Sequence, residues 1–225
     1  LVGLGFVLIF TAKKWKAPVM ASLSLIQIVI TSMILGVYVG FGPDAIKFGS
    51  NPFDLLRDTM QAPIFAQADY VSLIKGRGLN PLLQNYWMTI HPPTLFLGFA
   101  STVVPFAFAI AGLWTRDFKG WLKPVLNWSL FSAFILGLGI LMGGAWAYEA
   151  LSFGGYWAWD PVENASLVPW LVLVAGIHTC LIYRKKGTSL KATYLFLGIS
   201  FLLIGPFLDL FQKRNIFFSY FCRGD

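Results

Sequence analysis

Nine tryptophans, two histidines and a carboxylate pair three residues apart are the chemically suggestive side chains of this 225-residue chain. Trp146, Tyr148, Phe153, Tyr156, Trp157 and Trp159 fall within fourteen residues around Gly154-Gly155. Tryptophan and tyrosine gather at the water interface of membrane proteins generally, so one reading is an ordinary aromatic belt. The other is a broad, flat apolar surface, with glycines letting the backbone approach a planar ligand such as a porphyrin. Asp160, Pro161 and Glu163 follow directly. A carboxylate at the N-cap, proline at the first helical position and glutamate three residues after the cap make a capping box at the positive end of a helix dipole. That structural role accounts for both carboxylates better than acid–base catalysis does.

The histidines stand apart from each other. His91 immediately precedes Pro92-Pro93, whereas His178 lies inside an apolar run. An interfacial histidine is commonly just a ring at the water, but an ionisable group within a span is rare and usually functional. On a helix starting at Pro161, His178 is about 25 Å deep and Arg184 about 9 Å further. His178 thus belongs to the inner half of the span and His91 to the outer surface. Axial ligands of one iron sit roughly 4 Å apart on opposite faces, so these two do not share an iron. As haem ligands they would serve two haems, each with a partner this chain does not supply as histidine. Met142 alone among the methionines is both in a span and near the aromatic cluster, and packing is its expected role.

The elements that carry these residues are apolar throughout. The chain is 57% hydrophobic and 12% charged, about half the charge of a soluble domain. An all-α, polytopic transmembrane bundle follows, of about five full spans plus a partial N-terminal one, with an outer-face Trp-rich loop. The expected spans are 1–10 (partial), 19–41, 92–114, 129–147, 161–183 and 192–211, in one membrane domain over 1–225. Pro92 and Pro93 suit the first turn of their helix, and Gly139-x-x-x-Gly143 would let a neighbouring backbone approach closely. Loops 11–17, 115–128 and 184–191 hold ten of the seventeen basic residues and fall on one side. The positive-inside rule makes that side cytoplasmic, placing the 42–90 loop and the Trp-rich segment 146–170 outside. The net charge of +7 is therefore a topology signal, against membrane lipid rather than nucleic acid. Cys180 and Cys222 form no Cys-x-x-Cys, so neither a thiol redox pair nor a covalent haem attachment site is encoded. The chain opens at Leu1 inside an apolar stretch and reads as an internal fragment.

The segment 154–171 (Gly-Gly-Tyr-Trp-Ala-Trp-Asp-Pro-Val-Glu-Asn-Ala-Ser-Leu-Val-Pro-Trp-Leu) resembles the tryptophan-rich "WWD" signature of haem-handling membrane proteins, whose branches are CcmC, CcmF and CcsA. Asp-Pro-Val-Glu-Asn-Ala at 160–165, Gly-Arg-Gly-Leu-Asn-Pro-Leu-Leu-Gln at 76–84 and Ile-His-Pro-Pro at 90–93 are similar to the CcmF/NrfE haem lyase branch, in the same order. The resemblance spans about residues 50–190. It implies cytochrome c biogenesis: haem accepted at the outer face and joined to apocytochrome c, with a b-type haem in the membrane that reduces the incoming haem iron. Implied partners are the haem chaperone CcmE, apocytochrome c, CcmH-type thiol subunits and quinol. The implied location is the bacterial cytoplasmic (inner) membrane, multi-pass, with the platform facing the periplasm. By position, His91 resembles the outer haem histidine and His178 the membrane histidine of the b haem. Trp146, Gly154, Gly155, Tyr156, Trp157, Trp159, Asp160, Pro161, Glu163 and Asn164 make up the haem-handling segment. A haem carrier or exporter of the CcmC or CcsA type, without ligation activity, is the alternative. The tail 205–225 has no histidine and departs from the family's continuation, as a frameshift or truncation would produce; alone, such a fragment would complete neither haem site.

Overall fold

The computed structural model describes residues 1–40, 46–49, 51, 53–59, 63–67, 69–73, 78–150 and 155–203. The expectations for Gly154 and for the tail 205–225 lie outside the described residues. The chain read above as one membrane domain sorts into two compact units, one from Leu1–Leu25 with Leu82–Asp225 and one from Ile26–Pro81.

The first unit is helical. α1 (Val2–Thr11) leads through a 3-10 turn at Lys13–Trp15, with the Trp15 ring buried, into α2 (Lys16–Leu35). α5 (Trp87–Trp114), α6 (Leu122–Ala150), α7 (Pro161–Lys186) and α8 (Leu190–Leu202) form the bundle. α5 packs most extensively on α6, α7 on α8, and α5 is the most enclosed of the long helices. Among the described residues four helices are long and apolar enough to cross a membrane: Lys13–Leu35, Trp87–Trp114, Leu122–Ala150 and Val162–Lys186. α8 runs thirteen residues, and the rest of the expected 192–211 span lies outside the described residues.

Glycines set the α5–α6 spacing. A β-carbon at Gly98 would lie 2.6 Å from Leu136 Cα, and one at Gly139 2.9 Å from Leu95 Cα. Each helix thus offers a gap to the other's backbone, as the spacing Gly139-x-x-x-Gly143 predicts for its first member. Most buried serine and threonine hydroxyls turn to their own helix, Ser129 being an exception: Ser101 donates to Gly98 O at 2.7 Å and Ser132 to Trp128 O at 2.9 Å. No water is needed to satisfy them in an apolar surrounding. Outward faces stay apolar, with Phe134 and Leu141 on α6 and Leu171 and Ile182 on α7 exposed.

Three boundaries differ from the sequence expectation by five residues or more. α6 starts at Leu122 rather than at 129, taking Lys123 and the rest of 122–128 out of the expected loop and into the helix. α2 closes at Leu35 rather than near Phe41, because Gly36 takes φ +68°, the left-handed helix stop, and β-branched residues follow. α5 starts at Trp87, five residues before Pro92. The N-cap is Tyr86, which makes no side-chain cap, and Asn85 Oδ1 in an Asx turn accepts from the first helical N–H, Trp87 N, at 3.1 Å. Pro92 and Pro93 therefore sit in its second turn, not its first.

The second unit contains a hairpin of β1 (Val37–Val39) and β2 (Ile46–Phe48), antiparallel with Tyr38 opposite Lys47, whose ammonium lies 5.8 Å from the Tyr38 ring. Single turns α3 (Leu56–Thr59) and α4 (Tyr70–Leu73) follow, with Tyr70 edge-on to Phe65 at 5.5 Å.

One end of the helical unit gathers the basic loops. Lys14 Nζ pairs with Asp117 at 2.7 Å, and Trp121 packs on Tyr194 at 4.5 Å. The Lys14 ammonium and the Gly120 N–H hold the Asp117 carboxyl below its ordinary value. The opposite end carries the aromatic segment, where Trp87 Nε1 donates to Glu149 Oε2 at 2.7 Å and ties the start of α5 to the end of α6.

Candidate functional site

His91 occupies the second turn of α5, half-buried against α6. Its Nδ1 lies 2.9 Å from the Gly139 carbonyl oxygen. A carbonyl only accepts, so Nδ1 carries a proton, and in the neutral ring Nε2 keeps its lone pair. That is the tautomer of a metal-ligating imidazole, with the far nitrogen oriented by a backbone carbonyl. Gly143 makes the space: a β-carbon there would come within 2.8 Å of His91 Cε1. The second glycine of the Gly-x-x-x-Gly pair thus admits a side chain rather than a backbone. Trp146, one turn along α6, sets its ring 5.9 Å from the imidazole.

A cleft of about 130 Å³ joins these groups to the start of α7. His91, Gly143, Trp146, Trp157, Asp160 and Glu163 line it, with apolar side chains completing the wall. The indole N–H groups of Trp146 and Trp157 are both buried without an acceptor among the described residues. An unmade bond of this kind costs about 1–3 kcal/mol, and the rings would have to shift before either N–H could meet a ligand in the cleft. The volume is well below the roughly 300 Å³ of an enclosed small-molecule pocket. A planar macrocycle would therefore lie across the mouth, not inside.

The capping box stands as the sequence implies. Asp160 Oδ1 accepts from Glu163 N at 2.7 Å, Glu163 Oε2 accepts from Asp160 N at 3.3 Å, and Pro161 is the first helical residue. The loop before it returns to α6, so that a β-carbon on Gly144 would lie 3.1 Å from the Tyr156 carbonyl. Tyr156 stacks on Tyr148 at 4.4 Å with the planes 4° apart, and Trp157 meets Trp159 edge-on at 6.0 Å. Tyr148, Tyr156 and Trp159 are exposed. Gly155 sits in a bend before Tyr156.

His178 is placed differently. Its Nδ1 lies 2.8 Å from the Val174 carbonyl of its own helix, again leaving Nε2 free, but the ring is on an exposed face of α7 near Leu171, Leu181 and Ile182. Among the described residues no three histidine, cysteine, aspartate or glutamate side chains converge on a metal-ion site. Each histidine is a lone ligand. The structure thus gathers His91, Trp146, Trp157, Asp160 and Glu163 around one cleft, leaves Tyr156 and Trp159 at its exposed edge, and keeps His178 apart. Gly139, Gly143 and Ser166 join the site without having been singled out as site residues. Only the helical spacing from Trp146 back to Gly143 and Gly139 carried a signal for the glycines.

A four-span helical bundle with this segment at one end is a multi-pass membrane protein, and a family model described as Cytochrome C assembly protein matches residues 1–213. The chain belongs to that family. It is 45% identical over 139 residues to the cytochrome c-type biogenesis protein CycK of Bradyrhizobium diazoefficiens, covering 60% of this chain and 21% of CycK. It is 42% identical over 167 residues to CcmF of Escherichia coli, covering 72% of this chain and 24% of CcmF. A solved structure of the cytochrome c haem lyase CcmF superposes with a TM-score of 0.51 at 35% identity, covering 57% of this chain and 24% of that one. The chain spans about a fifth to a quarter of the length of the curated relatives it matches.

Proposed function

We propose that this chain is the haem-receiving part of a CcmF-type cytochrome c haem lyase. Haem is its substrate at the outer face, taken up by the aromatic segment with His91 as iron ligand and then joined to apocytochrome c. The observation that carries this is the His91 setting: a proton fixed on Nδ1 by the Gly139 carbonyl, an unburdened Nε2, and a glycine-made space beside two indole rings. Trp146, Tyr156, Trp157 and Trp159 supply apolar area for the face of a porphyrin. Asp160, Pro161, Glu163 and Asn164 set the start of α7 and with it the segment's direction.

His178, with Nε2 equally free, is assigned to a b-type haem in the membrane, its second ligand contributed by histidine outside this chain. That haem would supply an electron-transfer centre between quinol and the incoming haem iron. The platform faces the periplasm of the bacterial inner membrane, where CcmE delivers haem and CcmH-type thiol subunits present the apocytochrome. Support for this orientation comes from ten basic residues in loops 11–17, 115–128 and 184–191, two of which are joined by the Lys14–Asp117 pair.

The test is spectroscopic, with the segment in its full-length relative in membranes. His178→Ala should abolish the low-spin b-type spectrum, while His91→Ala should keep it and lose haem at the outer site. An unchanged spectrum in His178→Ala sinks that ligand assignment. Loss of haem loading at CcmE, in place of loss of attachment, would move the reading to a carrier of the CcmC or CcsA type.

A further inference from the structure

We propose that Glu163 and Asn164 are positioning residues for Trp159, clamping its backbone in a left-handed conformation that presents its ring at the outer aromatic surface. The inference rests on the reading of that surface as haem-facing. Trp159 has φ +58°. A bulky L-residue is a steric outlier there, since its β-carbon crowds the following carbonyl, and such outliers persist only where their surroundings over-determine them. Four side chain–backbone bonds do this. Glu163 Oε2 accepts from Asp160 N at 3.3 Å and from Ala158 N at 2.8 Å; Asn164 Nδ2 donates to Trp159 O at 3.1 Å; Asp160 Oδ1 accepts from Glu163 N.

A helix cap needs only two of these, the reciprocal bonds between Asp160 and Glu163. The other two fall on the loop. The peptide plane between Trp159 and Asp160 is held at both ends, its carbonyl by Asn164 and its N–H by Glu163. The Ala158 N–H holds the peptide between Trp157 and Ala158. One plane, Ala158–Trp159, is left between two held ones, so a change of φ at Trp159 needs a compensating turn at Ala158, and the side chain stays exposed. The ring is 71% exposed and edge-on to Trp157, whose own ring lines the cleft with His91. On the haem-facing reading, the clamp holds this ring out toward the ligand; as a plain interface anchor it would need no such strain.

The test compares variants of the whole chain in detergent, by thermal melting and by hemin titration. Trp159→Gly and Trp159→Ala delete the same ring but differ in tolerance of positive φ. The glycine variant should melt about 2–4 °C above the alanine variant, the reverse of the order at a right-handed position. Asn164→Asp removes the donor to Trp159 O at constant size. It should weaken hemin binding roughly three- to tenfold, the worth of one hydrogen bond, with no further loss when added to Trp159→Ala. A glycine variant melting at or below the alanine variant overturns the clamp, whatever hemin does. Parental hemin binding by Asn164→Asp, with Trp159→Ala weakened, overturns positioning by Asn164 and leaves the haem-facing surface standing. Parental binding by Trp159→Ala overturns the haem-facing reading, and the role in haem presentation with it; the melting order then decides the backbone clamp alone.

Discussion

His91 and His178 make the same bond by the same nitrogen, at 2.9 Å and 2.8 Å, but to partners that belong to different helices in one case and to the same helix in the other. His91 is held across the α5–α6 interface, in a gap that Gly143 leaves open, beside the ring of Trp146. His178 is held only by its own turn and stands on an exposed apolar face. The first ring is enclosed by two helices of the chain, the second by none. A polar ring facing hydrocarbon is costly unless paired, so the α7 face bears a cost that the His91 setting avoids.

This contrast can be broken from the His91 side first. Gly143→Val fills the space beside the imidazole and should weaken hemin binding at the outer site roughly tenfold or more, leaving any His178-dependent spectrum unchanged in the full-length relative. Equal loss at both would show that the two sites are not separate. Gly98→Leu sets a side chain against the Leu136 backbone, which cannot give way. It should cost about 1–3 kcal/mol, read as a lower melting temperature, and disturb His91 while sparing His178. Asp160→Ala removes the cap of α7 and should cost about 1 kcal/mol, a fall of about 2–4 °C; a larger fall would mean that the aromatic loop unfolds with the cap.

The smallest effect belongs to the far end. The Lys14 partner depresses the Asp117 carboxyl below its unfolded value of 3.8. Its stabilisation is therefore present above about pH 4 and lost as pH falls through the lower native value. Melting of Asp117→Asn should lie slightly below the parent at neutral pH and converge with it under more acid conditions. Convergence on raising the pH instead would contradict the ion pair as the cause.

Local features were legible in the sequence. The capping box at Asp160–Glu163 follows from three residue types at fixed offsets, and the apolar runs announced the helices. The start of α5 was not, because the prolines drew the boundary to themselves while an Asx turn at Asn85 meets the first helical N–H upstream. The end of α2 was missed for a similar reason: apolar composition continued past Gly36, whose backbone had already turned. The His91 tautomer depends on a carbonyl 48 residues away, and the left-handed Trp159 on bonds that no spacing rule encodes. Sequence showed that His178 lies deep within a span, but not that it faces outward from the bundle.

The Gly139 carbonyl that orients His91 belongs to the same residue whose missing β-carbon lets α5 approach. Proximity and orientation are thus a single adjustment. A ring bonded to its own helix would ride along with any tilt of that helix, but this ring gauges the separation of two. Any parting of α5 from α6 would lengthen the Nδ1–carbonyl bond and free the ring to turn.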